Sequence, residues 1–224
     1  MIMNVDDFTP ADDLLTAYAA GGLDRATALV ASAYAALNPC AATRVRMLEA
    51  AGGALLETGT PALLMEGALA AVFARIDAEP ASRPLAVAPR AETAVMVELA
   101  FAPAPLRQAL EQARPQAWSY RGPGVRAATV LRDGAAEVQV LRIEPGHGAP
   151  RHSHAGAEIT LCMKGAFTDE NGRYGPGDLC FAGPDVTHRP VALPEGTCYA
   201  LAVSDAPLRF TGALGLMQRI FGGD

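Results

Sequence analysis

Two patterns of apolar and polar positions divide the chain. From residue 9 to 79, apolar side chains recur at three- and four-residue intervals, the spacing of helices with one buried stripe. Thr9 or Asp12 caps a first short helix, Asp13 to Ala20, which the Gly21-Gly22 pair ends. A second runs from Leu23 to Leu37, with Ala26, Leu29, Val30, Ala33 and Leu37 on one face, and Asn38-Pro39 stops it. A third is expected over Cys40 to Glu57 on a stripe of Val45, Leu48, Ala51 and Leu55, weakened by Gly52-Gly53. The fourth has the strongest start signal: Thr60 as N-cap, Pro61 in the first helical position, and Leu64, Ala68, Ala71, Val72 and Ile76 as a buried face.

The stretch from Pro80 to Pro89 is rich in Pro and Ala, lacks periodicity and reads as a linker. Ala91 to Phe101 fits a short helix or an entering strand equally, and Ala104 to Ala113 fits another helical turn or two. From Ala117 onward short β segments alternate with turns. Ala127–Leu131 and Ala136–Ile143 flank Arg132-Asp133-Gly134 as a hairpin, Glu170-Asn171-Gly172 forms a turn, and Leu179–Phe181, Thr187–Val191 and Thr197–Val203 continue the series. Seven or more strands at this spacing suit a jelly-roll barrel. Ala213 to Phe221 reads as a terminal helix. The expected fold is α+β with two domains: a bundle of about four helices over 1–79, a linker over 80–103, and an all-β barrel over 104–224.

Composition narrows the function classes. The net charge is -6, and a single Lys among the 18 basic residues leaves no basic stripe, so nucleic acid is not expected as a direct partner. Acidity is concentrated early: residues 1–84 hold five basic and ten acidic side chains, a surface suited to a basic protein. The opening MIMNVDDF places acids where a signal peptide needs positive charge. The uncharged run between Arg25 and Arg44 is broken by Thr27, Ser32 and Asn38-Pro39, so no membrane segment is expected. The 4 cysteines show no C-x-x-C spacing, which with the missing signal reads as a cytoplasmic, thiol-reduced protein.

The candidate chemistry lies in Gly146 to Gly165, GHGAPRHSHAGAEITLCMKG. His152 and His154 stand at i and i+2, so a strand turns both imidazoles to one face. Ala155-Gly156-Ala157 lets the chain turn, and Glu158 opens the next strand. His188, from a distant segment, completes the set, so three of the 4 histidines join one pattern. Three imidazoles and a carboxylate suit zinc, and also iron, manganese or nickel. His147 breaks the strand parity and is left out. Cys162 shares the parity of Glu158 and should face the barrel interior.

These residues resemble the first cupin motif in full: Gly146, His152, His154, Glu158 and Gly165. The second motif is kept in part, with Gly177 and His188 at the right separation but Gly183, Asp185 and Ala192 in place of the usual Pro, Gly and Asn. Over nearly its whole length the chain resembles the ChrR-type anti-sigma factors. The resemblance is carried by DDLLTAYAAGGL at 12–23, a second helix of similar length, Glu66-Gly67-Ala68-Leu69, the cupin motif and SDAPLRF at 204–210. It implies an extracytoplasmic-function sigma factor as partner, held by a helical domain that wedges between the sigma factor's two globular domains and hides the surfaces that engage core RNA polymerase. It also implies a zinc-binding cupin associated with a stress response.

One departure stands out. The family's helical domain carries H-x3-C-x2-C plus an upstream His as a second zinc site, and here those three places hold Ala33, Leu37 and Cys40, with no histidine before His147. One thiolate cannot hold zinc. The expectation is therefore one metal ion in the barrel and none among the helices, where Ala33 and Leu37 face a core instead. The runner-up reading is a metal-dependent cupin enzyme, a dioxygenase or isomerase, with the helices as a dimerisation arm and Arg142, Glu144, Cys162 or Tyr199 as general base. Either reading leaves room for a homodimer.

Overall fold

The computed structural model describes residues 9–79, 91–206 and 208–210. The acids of the opening MIMNVDDF, the stretch 80–90 and the helix expected over Ala213 to Phe221 lie outside the described residues.

Among the described residues six helices precede the strands: α1 (Pro10–Ala19), α2 (Arg25–Leu37), α3 (Pro39–Glu57), α4 (Ala68–Ala78), α5 (Ala94–Glu98) and α6 (Ala104–Ala113). Thr9 and Asp12 form a reciprocal capping box, each side chain accepting from the other's backbone N–H, so α1 starts three residues before the expected Asp13. Asn38 ends α2 and caps α3, its Oδ1 accepting from the N–H groups of Cys40 and Ala41. Its Nδ2 donates to the carbonyl of Gly177 at 3.3 Å, which ties the α2–α3 junction to the β domain.

Two helical expectations are corrected. Thr60 caps no helix: the chain stays irregular through Met65, and α4 begins only after Gly67, which sits at φ +75°. The expected buried face of that helix is exposed, with Leu64 at 83%, Val72 at 53% and Ile76 at 59%. An N-cap signal is local, and a short helix persists only where tertiary packing rewards it. The stripe on α3 is likewise buried only at its start. Val45 packs with Leu15 and Ala41 while Leu55 projects into solvent.

The strands are β1 (Ser119–Gly122), β2 (Val125–Asp133), β3 (Ala136–Ile143), β4 (His152–His154), β5 (Glu158–Lys164), β6 (Phe167–Thr168), β7 (Arg173–Tyr174), β8 (Leu179–Ala182), β9 (Val191–Ala192), β10 (Cys198–Ser204) and β11 (Leu208–Phe210). The expected β2–β3 hairpin forms, with Asp133 paired to Ala136. One six-stranded sheet runs β1-β2-β3-β10-β5-β8, and smaller sheets β7-β6-β9 and β11-β4 complete the jelly roll.

Strand parity splits the large sheet into two faces. Val138, Val140, Leu161, Leu201 and Val203 pack outward against Ala26, Val30 and Ala33 of α2, Val95 and Leu99 of the α5 segment, and Leu106 and Leu110 of α6. Ile143, Cys162, Cys180, Cys198 and Phe167 point inward and form a second cluster. The stripe on α2 is thus buried as expected, against the outer face of the sheet together with the α5 segment and α6. Ala33 is fully buried, and Leu37 packs against the same cluster.

Within the stretch read as linker, α5 is a core element and carries a polar clamp. Glu98 accepts from the Trp118 indole N–H at 2.7 Å, from Arg142 Nε at 2.9 Å and from the Tyr199 hydroxyl at 2.6 Å, so one carboxylate joins α5 to β3, β10 and the entry to β1. Among the described residues no helix is long and apolar enough to cross a membrane.

Candidate metal centre

β4 is short, but its i, i+2 spacing turns both His152 and His154 into the barrel, where they are 2% and 0% exposed. His188 arrives on the loop between β8 and β9. An isolated antiparallel bridge fixes it to β4: His152 N–H donates to the His188 carbonyl at 3.0 Å, and His188 N–H returns to His152 at 2.9 Å. This backbone pairing sets the convergence before any side chain acts.

The three rings lie with centroids 4.7 to 5.3 Å apart, and one nitrogen from each falls within 4.8 Å of the other two. His154 Nε2 and His188 Nε2 approach to 3.1 Å. Two ligands at about 2.05 Å from a tetrahedral zinc stand about 3.3 Å apart, so this separation fits a shared cation. Burial, reinforced by His152 and His188, holds the pKa of His154 down to about 4, and burial also lowers that of His152. Neutral imidazoles are the metal-binding form.

The donor set supports the same reading. His152 Nδ1 lies 2.7 Å from the Pro150 carbonyl, so it carries the proton and the ring's lone pair sits on Nε2. His154 Nδ1 is buried without a hydrogen-bond partner, while its Nε2 is the ring atom that approaches His188, so Nε2 is the nitrogen positioned for a shared cation.

Glu158 stands beside the trio rather than within it. Its Oε2 is 3.8 Å from His154 Nδ1, its Oε1 accepts from the Thr160 hydroxyl at 3.1 Å, and its side chain is 16% exposed. Burial raises its carboxyl pKa, which marks a carboxylate short of positive charge. His147 is exposed, with Nδ1 against the Pro145 carbonyl, in line with its omission.

Two residues near the site had no functional signal in the sequence. Asp169, in the turn read from Glu170-Asn171-Gly172, puts Oδ2 2.9 Å from His188 Nδ1 with its side chain fully buried. Cys180 Sγ lies 3.8 Å from the same oxygen, and burial pushes its thiol pKa up to about 12, so it stays protonated. Cys162 does face inward as expected, where a hydrogen bond with Cys198 lowers its pKa and raises that of Cys198. All four cysteines are free. The other residues considered as general bases lie elsewhere. Arg142 and Tyr199 engage Glu98 on the helix-covered face of the sheet, and Glu144 pairs with Arg142 at 3.0 Å.

Helices leading into a jelly roll with three convergent, buried imidazoles define a two-part cupin protein. The ChrR cupin-like domain family matches residues 107–207. The anti-sigma-E factor ChrR of Cereibacter sphaeroides is 41% identical over 208 residues, spanning 91% of this chain and 92% of that protein. The crystal structure of Rhodobacter sphaeroides SigE in complex with the anti-sigma ChrR matches with a TM-score of 0.70 at 36% identity, over 86% of this chain and 96% of that one. The chain belongs to the ChrR family of anti-sigma factors.

Proposed function

We propose that this protein is an anti-sigma factor that sequesters an extracytoplasmic-function sigma factor through its helical part, with a cupin barrel that holds one zinc ion on His152, His154, His188 and Glu158. The observation that carries the partner is α4. Leu69, Val72, Phe73 and Ile76 stand at i, i+3, i+4 and i+7 and are 53 to 67% exposed, and no residue of the helix is buried. A helix with that stripe in water is built to lie in an apolar groove. The likeness, over 86% of this chain, to a chain solved in complex with a sigma factor supports the choice of occupant. The buried, convergent trio and the adjacent buried carboxylate support the metal, whose positive charge would balance Glu158. No catalytic role is assigned: Arg142, Glu144 and Tyr199 are engaged on the opposite face of the sheet from the histidines, and the inward-facing Cys162 thiol donates to the Gly165 carbonyl.

The test is co-elution of the purified chain with an extracytoplasmic-function sigma factor encoded in the same genome. Val72→Asp combined with Phe73→Asp should weaken binding by at least about 100-fold, the order expected when central anchors of an interface are lost. Its melting temperature should not change, since neither side chain is buried. A double variant that still co-elutes with wild-type affinity would remove α4 from the interface.

A further inference from the structure

We propose that Asp169 is the positioning residue of the metal centre: its carboxylate holds the His188 ring in the orientation and tautomer that present Nε2 to the cation. This rests on the reading that the histidine trio binds zinc.

The carboxylate is itself built into place. Oδ1 accepts from the backbone N–H groups of Asn171 at 2.8 Å and Gly172 at 3.1 Å, which fixes its plane within the turn between β6 and β7. Oδ2 is then left aimed inward, 2.9 Å from His188 Nδ1, with His188 and Asp169 side chains 2% and 0% exposed. The Cys180 thiol donates to the same oxygen from 3.8 Å. Oδ1 accepts from two backbone N–H groups and Oδ2 from the Cys180 thiol, so the group acts as acceptor toward His188 as well, which puts the imidazole proton on Nδ1 and the lone pair on Nε2. That Nε2 is the atom 3.1 Å from His154 Nε2. Without Asp169 the ring could carry its proton on Nε2 and point a hydrogen at its neighbour in place of a lone pair. Asp169, Cys180 and His188 also present donor atoms within 4.8 Å of one another, so the competing arrangement, a cation on this side with Cys180 as ligand, has to be told apart.

The experiment uses the full-length chain. Zinc affinity is measured by competition with a chromophoric chelator for the wild type, Asp169→Asn and Asp169→Glu, and the His188 tautomer is read from histidine 15N NMR on the wild type. Asp169→Asn should bind zinc about 10- to 100-fold more weakly, the range for loss of such an outer partner, and Asp169→Glu should recover part of it. The wild-type spectrum should show the His188 proton on Nδ1, a readout that a purely structural role would not require and that holds even if the Asn variant does not fold. Equal zinc affinity in wild type and Asp169→Asn, or a wild-type proton on Nε2, would overturn the assignment while leaving zinc binding intact. A thiolate charge-transfer band in the cobalt-loaded wild type that vanishes in Cys180→Ser would overturn it in favour of Cys180 as ligand. A wild type that takes up no zinc would overturn the metal reading and this one with it.

Discussion

Leu99→Ala tests whether the segment around α5 is core or tether. Leu99 is fully buried in the cluster that α2, α6 and the outer face of the sheet share. The substitution removes three carbons. Transfer at about 0.8 kcal/mol per methylene accounts for about 2.4 kcal/mol. A residual cavity at roughly 24 cal/mol per Å3 adds about 1 to 2 kcal/mol, for a total near 4 kcal/mol. For a chain of this size each kcal/mol moves Tm by about 2 to 4 °C, so a drop on the order of 10 °C is expected. The chain's 1 tryptophan makes the assay local. Trp118 packs against this same cluster and donates to Glu98, the residue before Leu99, so its fluorescence reports the seam directly. Urea unfolding followed by Trp118 emission and by helical circular dichroism should show both transitions moving together. Val97→Ala, two residues away and 58% exposed, is the control and should stay within about 0.5 kcal/mol of wild type. A Leu99→Ala cost below about 1 kcal/mol would refute the packing argument and return this segment to a linker.

The Glu98 clamp predicts an acid-sensitive seam. Burial alone would raise its pKa, but donation from Tyr199, Trp118 and Arg142 holds it below the usual carboxylate range. A folded value below the unfolded one means that the stabilisation is complete above about pH 4.5 and is lost as pH falls through the depressed value. The difference in stability between wild type and Glu98→Gln, followed at Trp118, should therefore be constant from pH 7 to about 5 and shrink below that. It lies on top of the loss that buried neutral His152 and His154 cause below about pH 6.5 in both proteins. A difference that does not change with pH would exclude Glu98 as its source. Gly148→Ala addresses the frame of the metal site. A Cβ there would collide with the backbone carbonyl of Pro190, next to the His188 bridge. The variant should lose about 2 kcal/mol or more and bind zinc more weakly, and wild-type Tm together with wild-type affinity would show that the loop yields freely.

Much of the site could be read from residue types because metal chemistry restricts them. His152 and His154 at strand spacing, with His188 downstream, are costly to bury together without a cation, so their pattern points to one place. Asp169 could not be found that way. An Asp before Glu170-Asn171-Gly172 is what any tight turn would carry, and only the fold brings its second oxygen to His188. Periodicity behaved similarly. On α2 it identified the buried stripe but not the partner, since Ala26, Val30 and Ala33 would look the same against helices or against the sheet they cover. On α4 the same period marked a face that nothing in the described chain covers. A repeat of apolar residues says that a face seeks burial, not whether the chain supplies it. The α5 segment was ambiguous because five residues are too few to separate helix from strand by period alone.

The central claim is that three imidazoles and Glu158 hold a single zinc ion in the barrel while the helices stand without one. Zinc content per chain, measured by elemental analysis on full-length wild type, His152→Ala and His188→Ala with helical circular dichroism before and after chelation, tests it most directly. The account predicts one zinc per wild-type chain, almost none in either variant, and helices α1 to α3 intact after chelation. Full occupancy in both variants, or loss of those helices when the metal is stripped, would contradict it.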